Sequence, residues 1–76
     1  MEANETLDTS GLSCPLPVLK SKKKIKSMEV GSILKIIATD PGSGKDIPSW
    51  CRVTGQELLE TAEEDGKFIF YVKRNK

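Results

Sequence analysis

The sequence predicts an α+β protein, a two-layer α/β sandwich in which two helices pack on one face of a mixed four-stranded sheet in the order βαβαββ. Three observations carry this prediction. The chain has 76 residues, which suits one domain with one modest core. Apolar residues recur at steps of three and four in two segments and alternate in others. Asp65 and Gly66 separate two strand-like segments, as in a hairpin turn. We therefore expect a single domain over residues 1–76, with the strand order left open.

The first half of the chain predicts a strand, a helix and a second strand. Weak alternation over residues 4–9 indicates a short first strand. The helix is expected from about Pro15 to Met28 or Glu29, because a proline is tolerated at a first helical position. Residues 32–39 are rich in isoleucine and give the clearest strand. Three of them are expected to face the helices: Leu34, Ile36 and Ala38.

The second half predicts a helix followed by the hairpin. The helix is expected from Ser43 or Asp46 to Thr54, with Asp46 as a suitable N-cap, Pro48 in the first turn and Gly55 as the stop. Residues 56–64 and 67–74 are the predicted hairpin arms. On the last arm, Phe68, Phe70 and Val72 suit the core. Two others, Ile69 and Tyr71, are expected to join Ile33 and Ile37 on the open face.

Composition narrows the chemistry. The net charge is +1, which argues neither for nor against nucleic acid, and there is no histidine. A Cys–His dyad, a Ser–His–Asp triad and a histidine metal site are therefore excluded. We expect no cofactor and no bound metal. Without a signal-peptide pattern or a membrane-length apolar run, we expect a cytoplasmic protein that does not insert into a membrane.

The segment from Gly11 to Pro17 reads Gly-Leu-Ser-Cys-Pro-Leu-Pro and is the candidate site. Gly11 supplies a backbone turn, and Asp8 before it either hydrogen-bonds that turn or is simply solvated. Cys14 falls at or next to the helix N-cap, where the positive end of the helix dipole favours a thiolate. Pro15 and Pro17 remove backbone donors that would otherwise hold the sulfur. The alternative is that Cys14 is a small buried apolar residue.

The other cysteine, Cys51, is too far along the chain for a Cys-x-x-Cys site. Its position on the second helix favours an inert core residue, with a second sulfur site or a disulfide to Cys14 as alternatives. Trp50 is expected to pack in or at the edge of the core.

Lysines crowd the first helix. Lys20, Lys23 and Lys24 are expected to face away from the core. They form either a solvated face or a basic surface for an acidic partner protein or RNA phosphates.

Several motifs, in order along the chain, resemble the TusA/SirA/YedF family of small sulfur-carrier proteins, which is marked by Cys-Pro-x-Pro. They are Leu7-Asp8, Gly11-Leu12, Cys14-Pro15-Leu16-Pro17, Thr39-Asp40-Pro41-Gly42-Ser43, Lys45-Asp46-Ile47-Pro48, Trp50-Cys51 and Gly55-Gln56-Glu57-Leu58-Leu59. The likeness runs from about Leu7 to the end. Two positions depart from it: Ser13 replaces a frequent charged residue, and Gln56 a common histidine. These departures bear on partner identity rather than on the motif chemistry.

The resemblance implies a sulfur carrier or sulfurtransferase that holds a persulfide on Cys14. Its donor would be a cysteine desulfurase or rhodanese-type protein, and its acceptor a protein leading, for example, to tRNA thiolation. We expect a monomer without stable nucleic-acid binding. The alternative is a non-catalytic RNA-binding or regulatory adaptor module that uses the basic first helix or the open sheet face.

Overall fold

The computed structural model describes residues 2–13 and 15–76. Its elements are β1 (Glu5–Thr9), α1 (Leu16–Lys26), β2 (Ile33–Ala38), α2 (Ser43–Thr54), β3 (Glu57–Glu64) and β4 (Lys67–Lys73). The sheet order is β1-β2-β4-β3, in which β1 and β2 are parallel and the other two pairs antiparallel. The predicted two-layer sandwich with a mixed sheet is confirmed.

The core lies between the helices and one face of the sheet. Leu34, Ile36 and Ala38 of β2 are fully buried, as their alternation predicts. They belong to one buried cluster: Ile25, Met28, Leu34, Ile36, Ala38, Ile47, Trp50, Cys51, Phe70 and Val72. Phe68 packs against this cluster while remaining half-buried. Both helices contribute to one core, so β2 and β4 form a rigid central pair beneath them.

The open face of the sheet has an apolar row through its centre. Ile37 pairs with Ile69, and Ile69 pairs with Ala62 on β3. The placement of Ile69 on this face agrees with the sequence, yet its side chain is only 6% exposed. Next to this row the Lys35 ammonium nitrogen lies 6.0 Å from the centre of the Tyr71 ring. The open face is therefore less apolar towards solvent than its sequence suggests.

The bounds of α1 differ from the prediction at both ends. Pro15 is the N-cap, with φ −96° and ψ 14°, and Leu16 is the first helical residue. The N–H groups of Ser27 and Met28 donate to carbonyl oxygens three residues earlier. The last turn is thus tightened beyond Lys26, which ends the α-helix before Met28 although Met28 is buried.

Of the two predicted starts of α2, Ser43 is confirmed, whereas the prediction of Asp46 as the N-cap is wrong. Gly42 is the N-cap, and Asp46 lies in the first turn. The Ser43 N–H donates to the Asp40 carbonyl, so the helix grows directly out of the preceding turn. Pro48 consequently lies inside the helix. The predicted stop is confirmed, because Gly55 is left-handed with φ 79°.

The hairpin between β3 and β4 agrees with the sequence. Asp65 and Gly66 both have positive φ, 49° and 76°, as a type I′ turn requires. The register shifts between Leu58 and Glu60, which is a bulge in β3.

The last residues of the chain are tied back to the fold. Gln56 Oε1 accepts the N–H of Asn75 at 2.7 Å, and Arg74 donates to the carbonyls of Lys26 and Met28 at the end of α1. Gln56 therefore has a structural role here, at the position where histidine was expected from the family resemblance.

Candidate functional site

The site is assembled at one end of the sheet. Because β1 and β2 are parallel and each is followed by a helix, the N-termini of α1 and α2 lie at the same edge, beyond the carboxyl ends of these strands. In α/β sheets with parallel strands, this edge is the usual place for binding and chemistry. Two helix dipoles direct their positive ends there, which favours a negative charge at this end of the molecule.

The loop from β1 to α1 is held by hydrogen bonds near its beginning. Asp8 Oδ1 accepts from the Ser10 N–H at 2.9 Å and from the Ser10 hydroxyl at 2.5 Å. These two bonds, the hydroxyl first, lower the pKa of Asp8 below its ordinary value of 3.8. Of the two readings of Asp8, the one in which it hydrogen-bonds the turn is therefore correct. Gly11 follows with φ 81°, and its N–H donates to Thr39 Oγ1 at 2.8 Å.

Cys14, the predicted catalytic residue, lies outside the described residues. Its neighbours are described on both sides: Ser13 is exposed, Pro15 is exposed, and Pro17 is buried at the second helical position. The Leu16 N–H donates to the Ser13 carbonyl at 2.9 Å, which joins the described residues on the two sides of Cys14. The first turn of α1 thus begins one residue later than predicted, and within it Pro17 is buried whereas Pro15 before it is exposed.

Cys51 is a free, buried thiol in the middle of α2, with 2% of its surface exposed. Burial raises the pKa of Cys51 to about 11, which keeps the sulfur protonated and unreactive at neutral pH. The prediction of a core cysteine is confirmed, and a disulfide is absent at Cys51. Trp50 beside it is 8% exposed, as core packing predicts.

Several grooves border the first helix, and two of them bear on the candidate site. One, of about 290 Å³, is lined by Leu7, Lys20, Lys23, Lys24 and Ser27. Lys20 and Lys23 are exposed, whereas Lys24 is paired with Glu5 at 2.8 Å. The predicted lysines therefore share one surface, which we call the lysine groove.

The other groove, of about 350 Å³, lies between the two helices next to the motif. Pro15 and Val18 of α1 form one wall, and α2 supplies the other with Asp46, Ser49, Trp50 and Val53. Val53 is 79% exposed here, and Leu19 on α1 is 53% exposed. The Trp50 indole N–H is buried without a hydrogen-bond partner among the described residues. The surface around the motif is thus apolar and open.

Comparisons with known proteins agree with this architecture. The family described as "Sulfurtransferase TusA" matches residues 5–74. The chain belongs to the TusA family. The sulfur carrier protein TusA of Allochromatium vinosum is 50% identical over 72 residues, which are 95% of each chain. That of Pseudomonas entomophila is 42% identical over 69 residues, 91% of this chain and 86% of the other.

A solved structure supports the fold. The SirA-like protein from Desulfitobacterium hafniense superposes with a TM-score of 0.83 over 95% of this chain and 99% of the other, at 23% identity. At that identity the likeness concerns the fold alone. Within residues 2–13 and 15–76, no group of three or more histidine, cysteine, aspartate or glutamate residues is placed to hold a metal ion. The helices of the same residues are all too short or too polar to cross a membrane.

Sequence reasoning missed Thr39 as part of the site. Thr39 directly follows β2, and its bond to Gly11 joins residues 28 positions apart. No local pattern marks such a pair, because the contact exists only once β1 and β2 lie side by side.

Proposed function

We propose that this protein is a sulfur carrier that holds a persulfide on Cys14 and passes its outer sulfur to an acceptor protein. The observation that carries the proposal is the contrast between its two cysteines. Cys51 is buried with a pKa of about 11, so it is unsuited to sulfur transfer. The chain has only one other cysteine, and that is the one in the Cys-Pro-Leu-Pro motif. Relatives over nearly the whole chain are named sulfur carrier proteins.

The chemistry needs only one thiolate from this protein. The Cys14 thiolate attacks the outer sulfur of a donor persulfide, a new S–S bond forms to Cys14, and the donor cysteine leaves as a thiolate. The outer sulfur keeps its proton, so Cys14 becomes Cys14–S–SH with no net oxidation. An acceptor thiolate then attacks that outer sulfur and releases the Cys14 thiolate. Both steps follow the rules of thiol–disulfide exchange.

The elements around the motif suit an anionic sulfur. The helix dipole of α1 lowers the free energy of a thiolate near its N-terminus. Pro15 and Pro17 lack N–H groups, so this first turn offers fewer donors to the sulfur than an ordinary helix would. A thiolate that is favoured by the dipole but weakly hydrogen-bonded keeps its nucleophilicity, which falls as the thiolate becomes more stable.

Partners follow from the same argument. We propose that the donor is a protein of the cysteine desulfurase or rhodanese type, and that the acceptor leads to tRNA thiolation. The exposed Lys20 and Lys23, together with Lys24, would steer an acidic partner surface towards the motif. We also propose the cytoplasm as the compartment, because thiols stay reduced there and the carrier depends on a free thiol.

The test is sulfur loading followed by intact mass measurement. The protein is incubated with a cysteine desulfurase and cysteine, and the mass is expected to rise by one sulfur atom, located at Cys14 by peptide mapping. Reduction with a thiol should remove the added mass. Absence of added sulfur on wild-type protein, with the donor shown to be active, would contradict the proposal.

RNA binding is a second candidate, favoured by the lysine groove. Against it, α1 contains no aromatic residue for base stacking. Binding to a short RNA that weakens steeply with salt and is lost on charge reversal of Lys20 and Lys23 would favour this candidate.

A further inference from the structure

We propose that Thr39 is a positioning residue for sulfur transfer: its hydroxyl fixes the loop that carries Cys14, and transfer between proteins depends on that bond. This inference rests on the proposed carrier function. Thr39 Oγ1 accepts the Gly11 N–H at 2.8 Å, three residues before Cys14. Within residues 2–13 and 15–76, Thr39 makes no other hydrogen bond to the segment 10–17, so it acts through the loop.

The Thr39 hydroxyl lies at the end of a strand that is held on both sides. Thr39 directly follows Ala38, which is fully buried and paired with Thr9 on one side and Phe68 on the other. Thr9 is also fully buried, and its hydroxyl donates to the Ile37 carbonyl at 2.6 Å. The end of β2 is therefore fixed from both neighbouring strands, and Thr39 extends this fixed framework to the loop.

The loop itself has few other ties. Asp8 holds Ser10, and the Leu12 N–H donates to the Thr9 carbonyl at 3.1 Å, but both bonds stay within the β1 end of the chain. Among the hydrogen bonds of described residues 10–13, the one from Gly11 to Thr39 is the only one that reaches another strand. Gly11 has φ 81° and no atom within 4 Å of the position a Cβ would take, so contacts by packing do not replace the bond.

Loop position matters more for some reactions of Cys14 than for others. Sulfur transfer requires three sulfur atoms of two proteins to meet in one orientation, and misplacement by about 1 Å can cost up to about 10²-fold in rate. A small alkylating reagent approaches from any open direction and has no such requirement. Loss of the Thr39 hydroxyl should therefore separate these two reactivities, whereas a merely structural role would change them together.

The experiment compares Thr39→Val, which removes the hydroxyl at nearly constant volume, with Thr39→Ser, which keeps it. Sulfur uptake from a persulfidated cysteine desulfurase is followed at varied donor concentration, alongside iodoacetamide alkylation of Cys14, at a temperature where melting curves show each variant folded. For Thr39→Val we expect a maximal transfer rate about tenfold lower than that of wild type. The donor concentration at half-saturation and the alkylation rate should both stay within about twofold of wild type. Thr39→Ser should recover most of the transfer rate.

A matched control and a direct readout complete the design. Thr54→Val also removes a threonine hydroxyl, one that donates to the Trp50 carbonyl at 2.7 Å on α2, and should leave transfer unchanged. Hydrogen exchange of the Gly11 amide should speed up in Thr39→Val and slow again in Thr39→Ser. If Thr39→Val is too unstable, Thr39→Ala gives the same comparison.

The outcomes separate this inference from the carrier function. The role of Thr39 would be overturned if wild type transfers sulfur and Thr39→Val transfers it at the same rate. It would also be overturned if the transfer and alkylation rates of Thr39→Val fall by the same factor. Either result would leave the carrier function standing. A wild-type protein that takes up no sulfur from an active donor would overturn the carrier function, and this inference with it.

Discussion

The two helices start at the same edge of the sheet, but they differ in the charge of their first turns. The first turn of α1, residues 16–19, has no acidic residue. The first turn of α2 contains Asp46, whose negative charge offsets the positive end of its own helix dipole. The positive end of the α1 dipole therefore has no acidic residue in its own first turn to offset it, whereas that of α2 has Asp46.

The cysteines follow the same division. Cys51 sits mid-helix in α2, where burial raises the pKa of its thiol to about 11. The Cys14 position directly precedes the N-cap of α1. The buried thiol of α2 is thus unsuited to sulfur transfer, and the proposed function assigns the reactive thiol to the motif before α1.

The largest expected effect comes from replacing each cysteine in turn. Cys14→Ser should abolish sulfur loading by a desulfurase, because no nucleophilic thiolate remains. Cys51→Ala should load like wild type and lose about 1 kcal/mol of unfolding free energy from the small cavity it leaves. Intact mass and urea unfolding measure the two quantities. Sulfur loading that persists in Cys14→Ser would contradict the assignment of the reactive thiol to the motif before α1 and of the inert thiol to α2.

A smaller effect is expected from charge on the helix surfaces. Reversal of Lys20 and Lys23 to glutamate should slow association with an acidic donor about tenfold at low salt and flatten its salt dependence. The matched control reverses Lys45 and Arg52 on α2, an equal change in net charge on the other helix, and should alter association much less. Stopped-flow mixing at several salt concentrations gives the rates, and equal effects of both pairs would assign the change to net charge alone.

The prolines of the motif give a third test. Pro17→Ala returns an N–H to the first turn of α1, so the pKa of Cys14 should fall by about 0.5 unit while the alkylation rate per thiolate decreases. Pro48→Ala adds an N–H inside α2 and should leave both quantities unchanged. A titration of alkylation rate against pH separates pKa from limiting rate. An unchanged or higher pKa in Pro17→Ala would mean that the prolines act on backbone shape or partner contact.

The smallest effect is expected from an added acid. Leu16→Glu gives α1 the first-turn charge that α2 already has, and should raise the pKa of Cys14 by about 0.2–0.7 unit. Val30→Glu adds the same charge at an exposed position beyond the other end of α1 and should raise it less. Equal shifts in the two variants, read from the same titration, would show a general charge effect instead of a helix-end effect.

Much of the fold could be predicted because its signals are local. The alternation of Leu34, Ile36 and Ala38 and the Asp65–Gly66 turn depend on neighbours in sequence, and both agree with the structure. The start of α1 was wrong by one residue, and Asp46 was wrong as the N-cap of α2 because Gly42 continues a turn from Asp40 that no composition rule signals. The site at Cys14 stays a prediction from the motif, whereas Thr39 became visible only through its bond to Gly11, which joins the segments that follow β1 and β2.

The most direct test of the central claim is cysteine-resolved alkylation of the native protein across pH. Cys14 should react with an apparent pKa below the free value of about 8.5, as expected at a helix N-terminus. Cys51 should remain unmodified at neutral pH, because its pKa is raised to about 11 and its sulfur is buried. Faster labelling of Cys51 than of Cys14 in folded protein would contradict the account.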